Sequence, residues 1–348
     1  IQLLRSLRPE DVLSVVAFSD YAEVIVPAAI NMDIKKQEGR IQMMQASGAT
    51  EIYNGLQAGL KEIRRTLDPS RVNHIILLTD GQTYGDEQAC LKLAEEAAAH
   101  NVGITGMGIG NDWNDIFLDA LAGKTGGSSA YISKPKDIQR LLVDKFNALI
   151  STYADDVLLE YKIPEHVKLN YVFRLQPEVG SVEIETPMHL GPILRDTPLH
   201  VLFEFLVSPP ALADDTVELL NGALKASITV RPTPVPPIRI NLKREVHNNP
   251  SMDPPPSRIL SALSQLTLYR MQERARAAAD QGQYDSASRH LKNLATHLLS
   301  QGEHSLAKTA LFEADNLERM HAWSAGGTKN IKYNTRALLL AGQKEKTK

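Results

Sequence analysis

The chain has little sulfur, few aromatic rings and no long apolar run, and each shortage closes off a class of protein. A single cysteine among 348 residues excludes an intramolecular disulfide framework, and Cys90 alone cannot build a thiolate zinc site. No stretch approaches the roughly 18 consecutive apolar residues that a membrane-spanning helix requires. Charge is nearly balanced, with 38 Lys and Arg against 41 Asp and Glu for a net of -3, so there is no global electrostatic footprint for nucleic acid and none is expected as a partner. Neither a Gly-x4-Gly-Lys-Ser/Thr loop nor a Gly-x-Ser-x-Gly elbow occurs, so the common marks of a nucleotide hydrolase and of a serine hydrolase are missing. Gly106-Met107-Gly108-Ile109-Gly110 has the wrong setting for a dinucleotide fingerprint, because it lies in and after a late strand with no acidic residue on a following strand end.

What is present is the composition of a water-soluble globular chain, 43% hydrophobic and 23% charged, long enough for two or three domains. A reducing, cytoplasmic setting fits the single cysteine. Ile1 to Leu7 reads as the last turns of a helix that stops before Pro9. From there to residue 152, short β-branched runs alternate with helical stretches, the pattern of a doubly wound α/β layer fold. Strands are expected at Val12 to Phe18, Ala22 to Pro27, Asn73 to Thr79, Val102 to Ile109 and Ser129 to Ile132. Helices are expected at Asp33 to Gln45, Ile52 to Leu67, Glu87 to His100, Trp113 to Ala122 and Pro135 to Ser151.

Residues 153 to 246 change to period-two segments broken by Pro and Gly, the texture of an antiparallel β-sandwich. Its expected strands are Val157 to Ile163, Lys168 to Leu175, Ser181 to Ile184, Leu199 to Leu206, Leu224 to Val230 and, as a further addition, Ile238 to Val246. Residues 247 to 256 form a Pro-rich linker. Residues 257 to 341 are helical, in amphipathic stretches at Ser257 to Ala279, Tyr284 to Ser300, His304 to Met320 and Asn330 to Leu340, and residues 342 to 348 are a tail. Gly282-Gln283-Tyr284 and Gly302-Glu303-His304 open two copies of one turn, each similar to the corner of a tetratricopeptide hairpin but repeating after 20 residues rather than 34. His297, His304 and His321 fall on solvated helix faces.

Two segments carry chemistry. In Ser47-Gly48-Ala49-Thr50-Glu51-Ile52, Gly48 permits a tight loop, and the Thr50 hydroxyl can cap the following helix or face an ion. In Leu78-Thr79-Asp80-Gly81, Asp80 ends a buried strand and Gly81 turns the chain. Both lie at the carboxyl end of a parallel sheet, where open α/β folds bind ligands. A hard cation such as Mg²⁺ takes oxygen ligands and needs only one or two protein carboxylates. Asp112 and Asp115 read as groups behind such a site or as ordinary helix-start charges, and Asp86 and Glu87 as acidic residues at a helix start. His74 faces a strand partner or the core, and Cys90 lies on an apolar helix face.

Over residues 1 to 150 this pairing resembles the von Willebrand factor type A domain. The family's metal-ion-dependent adhesion site takes a Thr from the loop before the third helix and an Asp from the end of the fourth strand, the positions of Thr50 and Asp80. Gly48, Gly81 and Asp112 stand in the loops behind them. The family's first strand and its Asp-x-Ser-x-Ser motif do not appear, so two of five usual ligands are present and the remainder are expected upstream of Ile1. The expected fold is therefore a type A sheet lacking its first strand, followed by the sandwich and the helical hairpins. The resemblance implies Mg²⁺, or Mn²⁺ or Ca²⁺, in the complete protein, with weak or absent binding by this chain. It implies a non-enzymatic interaction or scaffold module that engages an exposed Asp or Glu of a protein partner. A regulatory subunit of a larger ATPase-type complex and a Mg-dependent hydrolase are the competing readings.

Overall fold

A computed structural model describes residues 1–344 apart from 45–47, 49, 84, 209–214, 229–234 and 247–254. The end of the helix expected to reach Gln45, Val230 at a strand end, nearly all of the linker and the tip of the tail therefore lie outside the described residues.

The first region opens with a short helix α1 (Gln2–Ser6) and an antiparallel hairpin of β1 (Leu13–Phe18) and β2 (Ala22–Ala29), which runs through Pro27. Helix α2 (Ile34–Gln42) follows, its first turn capped by Asp33 accepting from the Lys36 amide. Then come α3 (Ile52–Arg65), β3 (Asn73–Thr79), α4 (Glu87–Ala99), β4 (Val102–Ile109), α5 (Asp115–Gly123), β5 (Ser129–Ile132) and α6 (Ile138–Ile150). β3, β4 and β5 form one parallel sheet in that order. Its core joins Leu56 and Leu60 of α3, Leu77 of β3, Cys90 and Ala94 of α4, Ile104 of β4, and Trp113 with Leu118 and Leu121 beside them.

The hairpin and the parallel sheet are separate: β1 pairs with β2 and β3 pairs with β4, with no ladder between β1 and β3 among the described residues. Helix α3 packs on β1, β2 and β3 together and holds the two sheets side by side. The burial pattern follows from this break. β4, hydrogen-bonded on both edges, is almost wholly buried, whereas all six residues of β1 and most of β3 are half-buried, apolar Val15, Val16, Ile75, Ile76 and Leu78 among them. A run such as Ile75-Ile76-Leu77-Leu78 belongs to a strand covered on both faces and flanked on both edges; one of its edges here lacks a neighbour.

The second region begins without a spacer, since β6 (Thr152–Lys162) leaves α6 directly. It continues with β7 (Val167–Gln176), three two-residue strands β8 (Gly180–Ser181), β9 (Met188–His189) and β10 (Ile193–Leu194), and then β11 (His200–Val207), β12 (Thr216–Ile228) and β13 (Ile238–Glu245). One sheet runs β10-β6-β12-β13, with β9 also on β6, and the other runs β11-β7-β8. Val157 and Leu159 meet Leu169, Val172, Met188 and Leu220 between them. The strand expected at Ser181 to Ile184 is reduced to Gly180–Ser181, and the two short strands after it carry too few residues for a period-two signal.

The last region holds α7 (Ser257–Asp280), α8 (Tyr284–Ser300), α9 (His304–Met320) and α10 (Gly327–Lys344), the final helix starting earlier and running longer than expected. The repeated turn is a repeated helix stop: Gln283 and Gly282 donate to Ala278 and Ala279, and Glu303 and Gly302 donate to Leu298 and Leu299 in the same register, the two bonds of a Schellman motif.

The helical region is not a free-standing appendage. Tyr269 and Leu266 of α7 and Leu339 of α10 share a buried cluster with Phe173 and Leu175 of β7. Beside this cluster, Arg336 donates to the Tyr269 hydroxyl at 3.0 Å and makes two bonds to Asp119 at 2.7 and 3.0 Å. Lys332 reaches Asp115 at 2.5 Å and Asp119 at 2.7 Å, and Arg276 grips Asp115 at 2.7 and 3.0 Å. Burial opposes the Asp115 charge, but Arg276 and Lys332 more than offset it and hold its pKa down to about 2. Asp115, read from sequence as a helix-start or site-supporting carboxylate, is thus an anchor between regions. Arg174 of β7 makes the third junction. Its guanidinium donates to the carbonyls of Gly126 and Gly127, each at 2.6 Å, and of Leu190 at 3.1 Å.

Removing Arg336 leaves the Asp119 carboxylate with only Lys332 as an ion-pair partner among the described residues and the buried Tyr269 hydroxyl without its donor, and breaking one member of a buried ionic cluster is strongly destabilising. Arg336→Met is therefore expected to cost about 3 to 5 kcal/mol of stability, with Arg336→Met/Asp119→Leu costing distinctly less than Arg336→Met alone. Urea denaturation of the three chains reads this directly; a double variant no better than the single one contradicts it.

Candidate functional site

Thr50 lies just before α3 and Asp80 just after β3, and the chain brings their loops into contact. A side chain at Gly81 would place its first carbon 2.7 Å from Thr50 Oγ1, so the Asp80-Gly81 turn and the Thr50 hydroxyl are in van der Waals contact and only glycine fits between them. Thr79 holds the turn from inside, its buried hydroxyl donating to the Gly81 carbonyl at 3.0 Å. Gly48 has φ +83°, with Ser19 and Asp20 of the β1–β2 turn about 3 Å from where a side chain would start. Both glycines read from sequence are therefore required, one by contact and one by a left-handed backbone as well. The β1–β2 turn joins the same cluster, because the Glu51 amide donates to the Ser19 carbonyl at 2.9 Å and Asn54 Nδ2 to the Asp20 carbonyl at 3.1 Å. Nothing in the sequence pattern pointed to Ser19 or Asp20.

The Thr50 hydroxyl does not cap α3. Its first amides go elsewhere: Ile52 N–H to Thr83 Oγ1 at 3.1 Å and Tyr53 N–H to Asp86 Oδ2 at 2.9 Å. Thr50 is half-buried and Asp80 exposed, and the side chain of neither makes a hydrogen bond or ion pair among the described residues. Two hard oxygen donors thus face solvent from adjoining loops, one of them a carboxylate. That chemistry suits a hard cation. It supplies two ligands only, and among the described residues no group of three or more His, Cys, Asp or Glu could hold a metal ion.

Asp112 is exposed in the loop after β4, where its charge acts on Lys329 of α10. No hydrogen bond or ion pair joins it to Thr50 or Asp80 among the described residues. The loop itself is tied to the helical region, with Lys329 Nζ donating to the Asn111 carbonyl at 2.7 Å. His74 Nε2 meets Thr105 Oγ1 at 2.8 Å, and burial, with Lys145 nearby, pushes its pKa down to about 3, so it stays neutral. Cys90 is fully buried and its thiol is pushed up to about 12 by burial and by Asp86 and Glu87. It is no nucleophile at neutral pH.

The family profile of the von Willebrand factor type A domain matches residues 1–144. The chain carries a von Willebrand factor type A domain. A second profile, the Sll0103-like C-terminal alpha-helical domain, matches residues 257–341. The type A chain is 28% identical over 206 residues to the uncharacterized protein sll0103 of Synechocystis sp., covering 56% of this chain and 48% of that protein. It is 21% identical over 159 residues to the uncharacterized protein YfbK of Escherichia coli, covering 44% of this chain and 28% of that one. The chain thus spans about half or less of the curated relatives it matches. Among solved structures, a von Willebrand factor type A protein from Catenulispora acidiphila superposes with a TM-score of 0.72 at 15% identity, covering 95% of this chain and 82% of that one. The ArnB paralog VWA2 from Sulfolobus acidocaldarius gives a TM-score of 0.53 at 15% identity, with 96% and 80% covered. Type A domains commonly mediate protein–protein interaction, commonly use a metal at their adhesion site and are mostly non-enzymatic. Among the described residues no helix is long and apolar enough to cross a membrane.

A cavity of about 80 Å³ lies away from the Thr50 loop, between the type A domain and the sandwich, lined among others by His74, Lys145, Asp155 and Glu178. Glu178 pairs with Lys145 at 2.5 Å. Asp155 Oδ1 is buried with no hydrogen-bond partner among the described residues, and burial, with the charge of Asp156 beside it, pushes its pKa up to about 7.

Two outcomes follow. Gly81→Ala is expected to cost about 1 to 3 kcal/mol through overpacking, and less than about 0.5 kcal/mol when made in a Thr50→Ala chain; equal costs in the two backgrounds rule out the contact. For Asp155 the folded pKa is raised, so its contribution is fully present below the ordinary carboxylate range and is lost as pH rises through about 7. The melting-temperature advantage of Asp155→Asn over the parent should therefore grow from pH 4 to 7 and level off above it, and a constant difference across that range contradicts the assignment.

Proposed function

We propose that the protein is an interaction module whose type A domain engages an exposed Asp or Glu of a protein partner at the loops carrying Thr50 and Asp80. The observation that supports this most is the pair of oxygen donors, hydroxyl and carboxylate, without hydrogen-bond or ion-pair partners among the described residues, on loops that Gly81 allows to touch. Thr50 and Asp80 would hold Mg²⁺, Mn²⁺ or Ca²⁺, which when bound supplies a centre that a partner's carboxylate can approach. Gly48 and Gly81 would shape the loops, and Asp112, in the loop after β4, would act behind the site. Further ligands would come with a strand seated between β1 and β3, whose facing edges have no neighbour among the described residues. The sandwich and helical regions, taken as residues 153–246 and 257–341, would act as further contact surfaces.

The supporting experiment is calorimetry with Mg²⁺ and Mn²⁺ on the 348-residue chain, alone and with an apolar strand ending in Asp-x-Ser-x-Ser fused before Ile1. Millimolar or weaker affinity is expected for the chain alone, because a strongly hydrated cation gains little from one carboxylate and one hydroxyl. Tightening of at least tenfold is expected with the added strand, abolished by Asp80→Ala. Micromolar binding by the chain alone that survives Asp80→Ala, or no tightening with the strand, overturns the reading.

A further inference from the structure

A helix leaves its first amides without intrahelical partners, and a Ser or Thr just before the helix is the usual side chain to take one. At α3 that position belongs to Glu51, whose side chain makes no cap bond, and Thr50, one residue further out, takes none of the α3 amides either. The α3 amides are taken instead from across the molecule by a pair some thirty residues later in sequence. Thr83, 5% exposed, accepts from Ile52 N–H and donates to Asp86 Oδ1, while Asp86 Oδ2 accepts from Tyr53 N–H. Asp86 sits at the N-cap position of α4 yet makes no side-chain cap bond to its own helix. It serves the neighbouring helix instead.

We infer that Thr83 and Asp86 are positioning residues of the Thr50–Asp80 site: by occupying the α3 amides they release the Thr50 hydroxyl from capping and leave it against the Asp80-Gly81 turn. The inference rests on the proposal that Thr50 is a ligand, and goes beyond it by assigning the pair that makes Thr50 available. Thr83 and Asp86 share the β3–α4 connection with Asp80, so one segment carries both the carboxylate donor and the brace that frees the hydroxyl donor from the neighbouring loop.

The test is a double-mutant cycle in the full chain without metal, followed by Mn²⁺ titration read by water-proton relaxation. In the parent, Thr50→Val should leave the folding equilibrium almost unchanged. In Asp86→Ala the Thr50 hydroxyl should fall back onto the α3 amides, so that Thr50→Val then lowers the folding constant about fivefold, the size of a lost cap. Asp86→Asn, which keeps an acceptor for Tyr53 N–H, should resemble the parent, and it serves together with Thr83→Val if Asp86→Ala does not fold. Identical effects of Thr50→Val in parent and braceless chains overturn the inference. The Mn²⁺ arm separates the two layers. Coupling in the melts with Mn²⁺ affinity untouched by Thr50→Val overturns Thr50 as a ligand, and with it the role of the brace. Loss of Mn²⁺ affinity in Thr50→Val without coupling overturns the brace alone and leaves the proposed site standing.

Discussion

The docking of the helical region on the type A domain depends on one ionic lattice, in which Asp115 and Asp119 on a single helix of the type A domain meet Arg276, Lys332 and Arg336 from two helices of the last region. Such a lattice contributes little net energy, because desolvation offsets much of the attraction. Its strength is in specificity. All five charges are satisfied together in the observed arrangement, each with at least one partner of opposite sign. The apolar contacts of Phe173 with Tyr269 and of Leu339 with its neighbours fill the space beside it.

This lattice reaches the face that carries the candidate site. α5 starts directly after the 110–114 loop, and that loop is held by Lys329 on the Asn111 carbonyl, by Tyr131 on the Asn111 side chain and by Trp113 packed among Tyr131 and Tyr333. Arg276, Lys329, Lys332 and Arg336 turn inward to acidic and carbonyl groups of the type A domain rather than outward to an anionic ligand. The Gly126-Gly127 turn is held in the same manner by Arg174, so two strand-end loops of the parallel sheet are each fixed by a cation from another region.

The break between β1 and β3 follows what the resemblance to the type A family implied, a sheet lacking its first strand; the apolar runs alone say only that each segment is a strand. Val12 to Phe18 and Asn73 to Thr79 read as buried strands, and among the described residues each has one edge unpaired, with all of β1 and most of β3 only half-buried. The two site loops were legible in the sequence: Gly48 and Gly81 mark places where no side chain fits, and a short motif records that locally. Ser19 and Asp20 were not legible, since a Ser-Asp turn between two strands carries no sign of what it will touch. The very short strands after β7 were missed because two residues cannot show alternation.

What the sequence determined by itself was local: the order and type of elements, the helix stops at Gly282 and Gly302, the inertness of Cys90 and His74, and the pairing of a Thr loop with an Asp turn. Periodicity and backbone sterics act over a few residues, so a linear chain displays them. What only the tertiary structure decided was every role that depends on a partner distant in sequence. Asp115 could be read as a helix-start charge until Arg276 and Lys332 closed on it from more than 150 residues away. Asp86 looked like the first acidic residue of its own helix until its carboxylate was found on the amide of Tyr53. A carboxylate has the same composition in a cap, an ion pair or a ligand set, and the folded chain alone chooses its partner.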